Sequence, residues 1–212
     1  MTTTNDDEPK LIETETKKFW GIIGKGPFDG CGAAFKKLGE LQKKVFADDD
    51  DNKIRTAMLV LCDVPNTKNK EDLVWAAAML IPDSVESKVP EGLEEIVVEG
   101  RRCATSMHRG GYEGLPKSWG QLCMKWIPSQ KLRPCKGSRE CPHYEVYMND
   151  CSNGTKKEDL ETQLFAPVEP AEENEEKKQA DAGDCCSSNN KHPLEEDDKK
   201  KQEEPEAKKA KE

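Results

Sequence analysis

The chain has 212 residues, 34% hydrophobic and 35% charged, with a formal net charge of −9. That acidic balance argues against broad binding to a phosphate backbone, which needs a Lys/Arg surface, and the low apolar share implies that part of the length stays out of any core. No run of about 18 apolar residues occurs, so no membrane-spanning helix is expected, and the opening "MTTTNDDEPKLIETETKKF" lacks the apolar stretch of a signal peptide.

In chain order, residues 1–16 read as a flexible N-terminus. A strand is expected at about 18–25, followed by the turn "GPFDG" and a helix over about 30–46. In that helix Ala34, Leu38, Leu41 and Val45 recur at helical spacing. "ADDDDNK" (47–53) is a self-repelling loop, and strands follow at about 55–62 and 73–81. "GLEEIVVEG" adds a strand before the next one at about 101–108. The turn "GGYEG" then opens a helix over about 114–128, in which Leu115, Trp119, Leu122 and Trp126 repeat the same spacing. Strands at about 143–149 and 159–166 complete the ordered part. Beyond "FAPVEP" acidic and lysine blocks alternate without any aromatic residue, so 169–212 is expected to be a disordered charged tail.

The second half echoes the first. "GPFDG" faces "GGYEG" 84 positions on, and "LCDVPNTKNKEDL" (61–73) faces "MNDCSNGTKKEDL" (148–160) at an offset of 87. A three-residue slip is an ordinary loop-length difference. The pattern is an α+β fold of tandem duplicated β-α-β-β units, repeat one at about 17–82 and repeat two at about 93–168. Two one-helix sheets packed together leave a groove between them, where small ligands bind.

Strand alternation puts Tyr144, Val146 and Met148 on one face, and Glu145, Tyr147 and Asn149 on the other. The more apolar face is expected under the helix, which turns Glu145 and Tyr147 to the groove. In the last strand Leu160 and Leu164 should face the helix, with Glu161, Gln163 and Phe165 opposite. The matching first-half strand "AMLVLCD" has no acid before Asp63. A strand glutamate between two tyrosines serves either as an anchor for a cation or as an ordinary solvent-facing residue.

"GGYEGLPKSWGQL", "CPHYEVYMND" and "EDLETQLFAPV" together resemble the GyrI-like small-molecule-binding domain, found in gyrase-inhibitor proteins and in effector-binding domains of bacterial multidrug regulators. The resemblance covers about 17–168. It implies an aromatic-lined groove with an acid at its floor that takes aromatic, amphipathic or cationic molecules. The acid of the matching "[FY]E-x-Y" strand is here Glu145, within Tyr144-Glu145-Val146-Tyr147, and Glu161 ranks second. Tyr147, Phe165, Trp75 and Tyr112 are the candidate walls. Some proteins resembling this domain hydrolyse strained cyclopropane rings, so Glu145 and Glu161 are also the candidate catalytic residues of an alternative, hydrolase reading. The chain departs from the bacterial regulators in showing no DNA-binding helix-turn-helix before the domain. Its strand "VWAAAMLI" is also apolar where theirs is polar. A third reading makes the protein an adaptor that binds a partner through its tail.

Among other clusters, "CKGSRECPHYEVYMNDC" brings Cys135, Cys141, His143 and Cys151 close in sequence, but without the C-x2–4-C spacing of zinc sites. Nine cysteines at irregular spacing without a secretory signal suggest free thiols in a reducing compartment. A Cys–His pair of His108 with Cys31 or Cys123 is less economical than a residue in a tight turn. No cofactor, no metal and no direct nucleic-acid binding is expected. The protein is expected to be a cytoplasmic monomer, with the nucleus left open by the lysines of the tail.

Overall fold

A computed structural model describes residues 8–46, 54–64, 67–85, 88–149 and 154–171. The loop 47–53, Cys151, Cys185, Cys186 and the tail beyond 171 lie outside the described residues.

The first half contains β1 (Lys10–Glu13), β2 (Lys17–Lys25), α1 (Cys31–Val45), β3 (Thr56–Val60) and β4 (Val74–Ile81). The second contains β5 (Glu94–Val98), β6 (Arg102–Arg109), α2 (Leu115–Gln121), a π turn (Leu122–Trp126), α3 (Ile127–Ser129), β7 (Leu132–Pro134), β8 (His143–Tyr147) and β9 (Glu161–Pro170). The π turn immediately precedes Pro128, which has no N–H to continue an α-helical ladder. It divides what the spacing predicts as one helix.

The strands form an antiparallel sheet in the order β1-β6-β9-β8-β3-β4-β2-β5, with β7 on β9. The halves meet at the β3–β8 pair, where Met58 lies opposite Glu145. Met58 and Glu145 are also 87 residues apart, the offset that maps β3 onto β8. The pairing therefore has a near two-fold arrangement centred between these two residues. The turns match as well. Gly26 and Gly110 both have φ near +100°, at 98° and 106°, a region open to glycine at no steric cost. Their amides donate to the carbonyls of Leu73 and Leu160 at 2.8 and 2.9 Å.

Each half lends its first strand to the other: β1 pairs with β6 and β5 pairs with β2. Only residues 14–16 join β1 to β2, and a link that short reaches at most about 14 Å. The Thr14 amide in fact donates to the Arg101 carbonyl at 2.9 Å, where the two links meet. The two ends of the sheet are thus drawn together, and its helix-free side closes on itself. Phe19, Leu59, Tyr144, Val146, Ile96 and Phe165 form the core there. Both helices lie on the opposite side: Leu38 of α1 packs with Trp20 and Met79 in the first half, and Leu122 and Ile127 of the second helical segment pack with Leu164. Strand β4 is covered on both sides, which is why it reads as the apolar run "VWAAAMLI". Its alanines admit close neighbours: a Cβ added to Gly21 would stand 2.9 Å from that of Ala78.

This closure corrects one expectation. The more apolar face of β8 does not pack under a helix. It fills the helix-free core, because that side of the sheet is sealed, and each large side chain buried there is worth about 1.5–3 kcal/mol. Glu145 and Tyr147 therefore lie on the helix-bearing face. In β9 the expectation holds, with Leu164 under the helix and Phe165 opposite.

Candidate functional site

Strand β8 carries His143, Glu145 and Tyr147 along one face, and residues of both helices meet them. Trp119 of α2 donates its indole N–H to Glu145 Oε2 at 3.3 Å. The Tyr147 hydroxyl donates to Glu145 Oε1 at 3.1 Å. Tyr147 meets Phe35 of α1 edge-on at 5.6 Å between ring centres, and Tyr112 of the second glycine turn at 5.3 Å. Trp119 also stacks on His143 at 6.2 Å. The carboxylate is thus oriented by two neutral donors and surrounded by aromatic rings from both halves.

Burial pushes the Glu145 carboxyl above the ordinary glutamate range. The Trp119 and Tyr147 hydrogen bonds and nearby His108 offset this in part. Burial first, and then Glu145, push the Tyr147 phenol well above its ordinary value, so it remains a hydrogen-bond donor. Cys31, at the start of α1, is raised by burial and to a lesser extent by Glu145 and Asp29, against its backbone hydrogen bond. Burial lowers His143 despite the Cys135 carbonyl that its Nε2 meets at 3.0 Å; that ring sits neutral against Trp119. A half-buried carboxylate with two uncharged donors and, among the described residues, no cation bonded to it has unspent negative charge, which attracts a positively charged group.

The structure divides the sequence candidates. Glu145, Tyr147 and Tyr112 come together, and Tyr112 is exposed. Trp75 lies on the same face but beneath α1, 4% exposed, its indole N–H donating to the Gly26 carbonyl at 3.0 Å. It supports the floor from inside the core. Phe165 is on the other side of the sheet, stacked on Tyr144 at 4.6 Å. Glu161 is at the start of β9, ion-paired with Arg109 at a separate shallow recess, so the two candidate acids do not converge. Glu113, in the second glycine turn, bonds Lys157 at 2.6 Å on the surface.

Sequence reasoning missed Trp119 as a donor to the carboxylate, and Phe35 and His143 as ring neighbours of Tyr147 and Trp119. Helical spacing counts Trp119 as a core position, and only its N–H direction reveals the second role. Phe35 falls just outside the Ala34 register. His143 was in reach, because alternation already put it on the face of Glu145. His143 turns its ring to Trp119 and its Nε2 to a backbone carbonyl. Among the described residues no group of three or more His, Cys, Asp or Glu is arranged to hold a metal ion. No described helix is long and apolar enough to cross a membrane.

The model of a family described as "GyrI-like small molecule binding domain" matches residues 7–169. No curated protein matches the sequence. Among solved structures, the EcmrR C-terminal domain aligns at 15% identity over 77% of this chain and 98% of its own, with a TM-score of 0.57. A hydrolase from Listeria innocua aligns at 18% identity over 77% and 92%, with a TM-score of 0.54. SAV2435 bound to tetraphenylphosphonium aligns at 14% identity over 76% and 94%, with a TM-score of 0.52. At these identities the three structures share the fold.

Proposed function

The chain belongs to the GyrI-like small-molecule-binding family, and from that premise we propose that it binds a small aromatic or amphipathic cation between α1 and α2. Glu145 is the anchor, and Tyr147, Tyr112, Phe35 and Trp119 are the walls. The observation that carries this reading is the Glu145 carboxylate, held by Trp119 and Tyr147 and bonded, among the described residues, to no cationic side chain. Aromatic faces around a fixed negative charge favour a cation twice, through the rings' electron-rich faces and through the carboxylate. The bound tetraphenylphosphonium of SAV2435 supports the choice of probe.

The hydrolase alternative needs two acids at one site, and Glu161 lies elsewhere, so binding is the better-supported reading. The tail-borne adaptor reading concerns residues outside those described. The test is calorimetric titration with tetraphenylphosphonium and with its uncharged analogue triphenylphosphine oxide. The cation should bind the wild type more tightly, and Glu145→Gln should close the gap between the two compounds. Equal affinities for the two compounds in the wild type would reject the anchor.

A further inference from the structure

His108, at the end of β6, is buried, and both of its ring nitrogens are engaged. Nε2 lies 3.1 Å from the Gly111 carbonyl oxygen, and Nδ1 lies 2.8 Å from the Ser118 hydroxyl on α2. A carbonyl only accepts, so Nε2 carries the proton. In the neutral ring Nδ1 is then an acceptor, and the Ser118 hydroxyl donates to it. This is the arrangement of a serine nucleophile beside a base whose orientation and tautomer are fixed by a third group. The Gly111 carbonyl is that third group.

Fixing the turn does not require the serine. The first half holds its own turn one position earlier, through Trp75, whose N–H donates to the carbonyl of Gly26, the counterpart of Gly110. At the positions of His108 and Ser118 the first half has Gly24 and Ala34. The base and the hydroxyl are therefore both particular to the second half. Room has been made for the ring: a Cβ on Gly114 would stand 2.7 Å from His108 Cε1. Thr162, the register partner of His108, has a fully buried hydroxyl that finds no partner among the described residues. Ser118 itself is partly exposed, one residue before the Trp119 that holds Glu145.

We infer that Ser118 is a His108-assisted nucleophile that accepts acyl groups from activated carboxylic esters. Ser118 Oγ forms a bond to the ester carbonyl carbon, and its proton passes to His108 Nδ1. The bond to the leaving alkoxide breaks, and that oxygen takes the proton from Nδ1. Water, deprotonated by the same nitrogen, then hydrolyses the acyl-serine and restores the hydroxyl. The Gly111 carbonyl only positions the ring.

The test uses the full chain and p-nitrophenyl acetate, a small uncharged ester whose reaction does not depend on a cation site at Glu145. One equivalent of nitrophenolate should be released in a burst, with acetyl found by mass spectrometry on Ser118. Ser118→Ala should lose the burst, and this variant has the residue that the first half already accommodates. His108→Gln should slow it at least about 100-fold, the usual minimum for a positioned base, and Ser118→Cys should restore acylation. Acetyl found only on lysines, or an equal burst in Ser118→Ala, overturns the inference. Should His108→Gln fail to fold, labelling of the wild type by a fluorophosphonate decides: adduct on Ser118 supports the pair, and its absence rejects it.

Discussion

At the centre of the sheet the two halves face each other with matching backbones and opposite chemistry. Where β8 presents Glu145, β3 presents Met58, directly opposite and at the corresponding position. Tyr147 corresponds to Val60, Trp119 to Phe35, and the His108–Thr162 pair to Gly24–Trp75. The first half fills its turn with one large indole over a glycine, where a Cβ on Gly24 would come within 2.3 Å of Trp75. The second half divides a similar volume between two polar residues, and it keeps the carboxylate. The common backbone is thus held by apolar packing on one side, which leaves the other side able to carry charge and hydrogen-bonding groups at the junction.

Substitutions that exchange the characters of the halves test this division. The largest effect should come from Trp75→Ala. Removing a buried indole that also satisfies Gly26 should cost about 3–5 kcal/mol in urea denaturation. A cost near zero would show that the first half does not depend on its packing. Gly24→Ala should cost about 1–3 kcal/mol through overpacking against Trp75. Combining it with Trp75→Thr should give a double variant less unstable than the sum of the two, a departure from additivity expected of touching residues.

Glu145→Gln should lower the affinity for tetraphenylphosphonium about 10- to 100-fold, or about 1.4–2.8 kcal/mol. The same change should leave folding intact or strengthen it. The native carboxyl has a raised pKa and binds its proton more tightly than the unfolded chain does. Its contribution to stability is therefore greatest below the unfolded value of about 4.3 and is lost as pH rises through the raised native value. Stability measured across that interval should fall with rising pH in the wild type, and Glu145→Gln should lack that component. The smallest effect belongs to Lys157→Ala. It breaks an exposed pair with Glu113 and should leave both stability and ligand affinity unchanged within error.

The correspondence of the halves was legible because glycine turns and helix spacing leave strong local marks. "GPFDG" and "GGYEG" fall at the turns, and the expected strands differ from their observed counterparts by a few residues at their ends, whereas β1, inside the expected flexible N-terminus, and the short β7 were not foreseen. The face of β8 was not legible, because hydrophobicity alone assumes that the helix covers the more apolar side. Here the sheet's own curvature covers it, through crossed links at residues 14–16 and 99–101 whose sequences give no such signal. Alternation and resemblance both put Glu145 and Tyr147 forward. Trp119 and Phe35 were not, since an indole that packs and also donates looks like any core aromatic. Phe165 and Glu161 illustrate the opposite limit. Residues adjacent in sequence to a site strand alternate away from it, and a neighbouring strand's face must be known before its side chains can be assigned.

In the proposed site Glu145 is the charge that a ligand neutralises. The most direct measurement is the affinity for tetraphenylphosphonium as a function of pH, followed by tryptophan fluorescence in the wild type and in Glu145→Gln. The account predicts tight binding at neutral pH that weakens as the solution is acidified through a pKa above the ordinary glutamate range, with weak and pH-independent binding in the variant. Wild-type affinity that stays constant across that range, or a variant that follows the same curve, would contradict it.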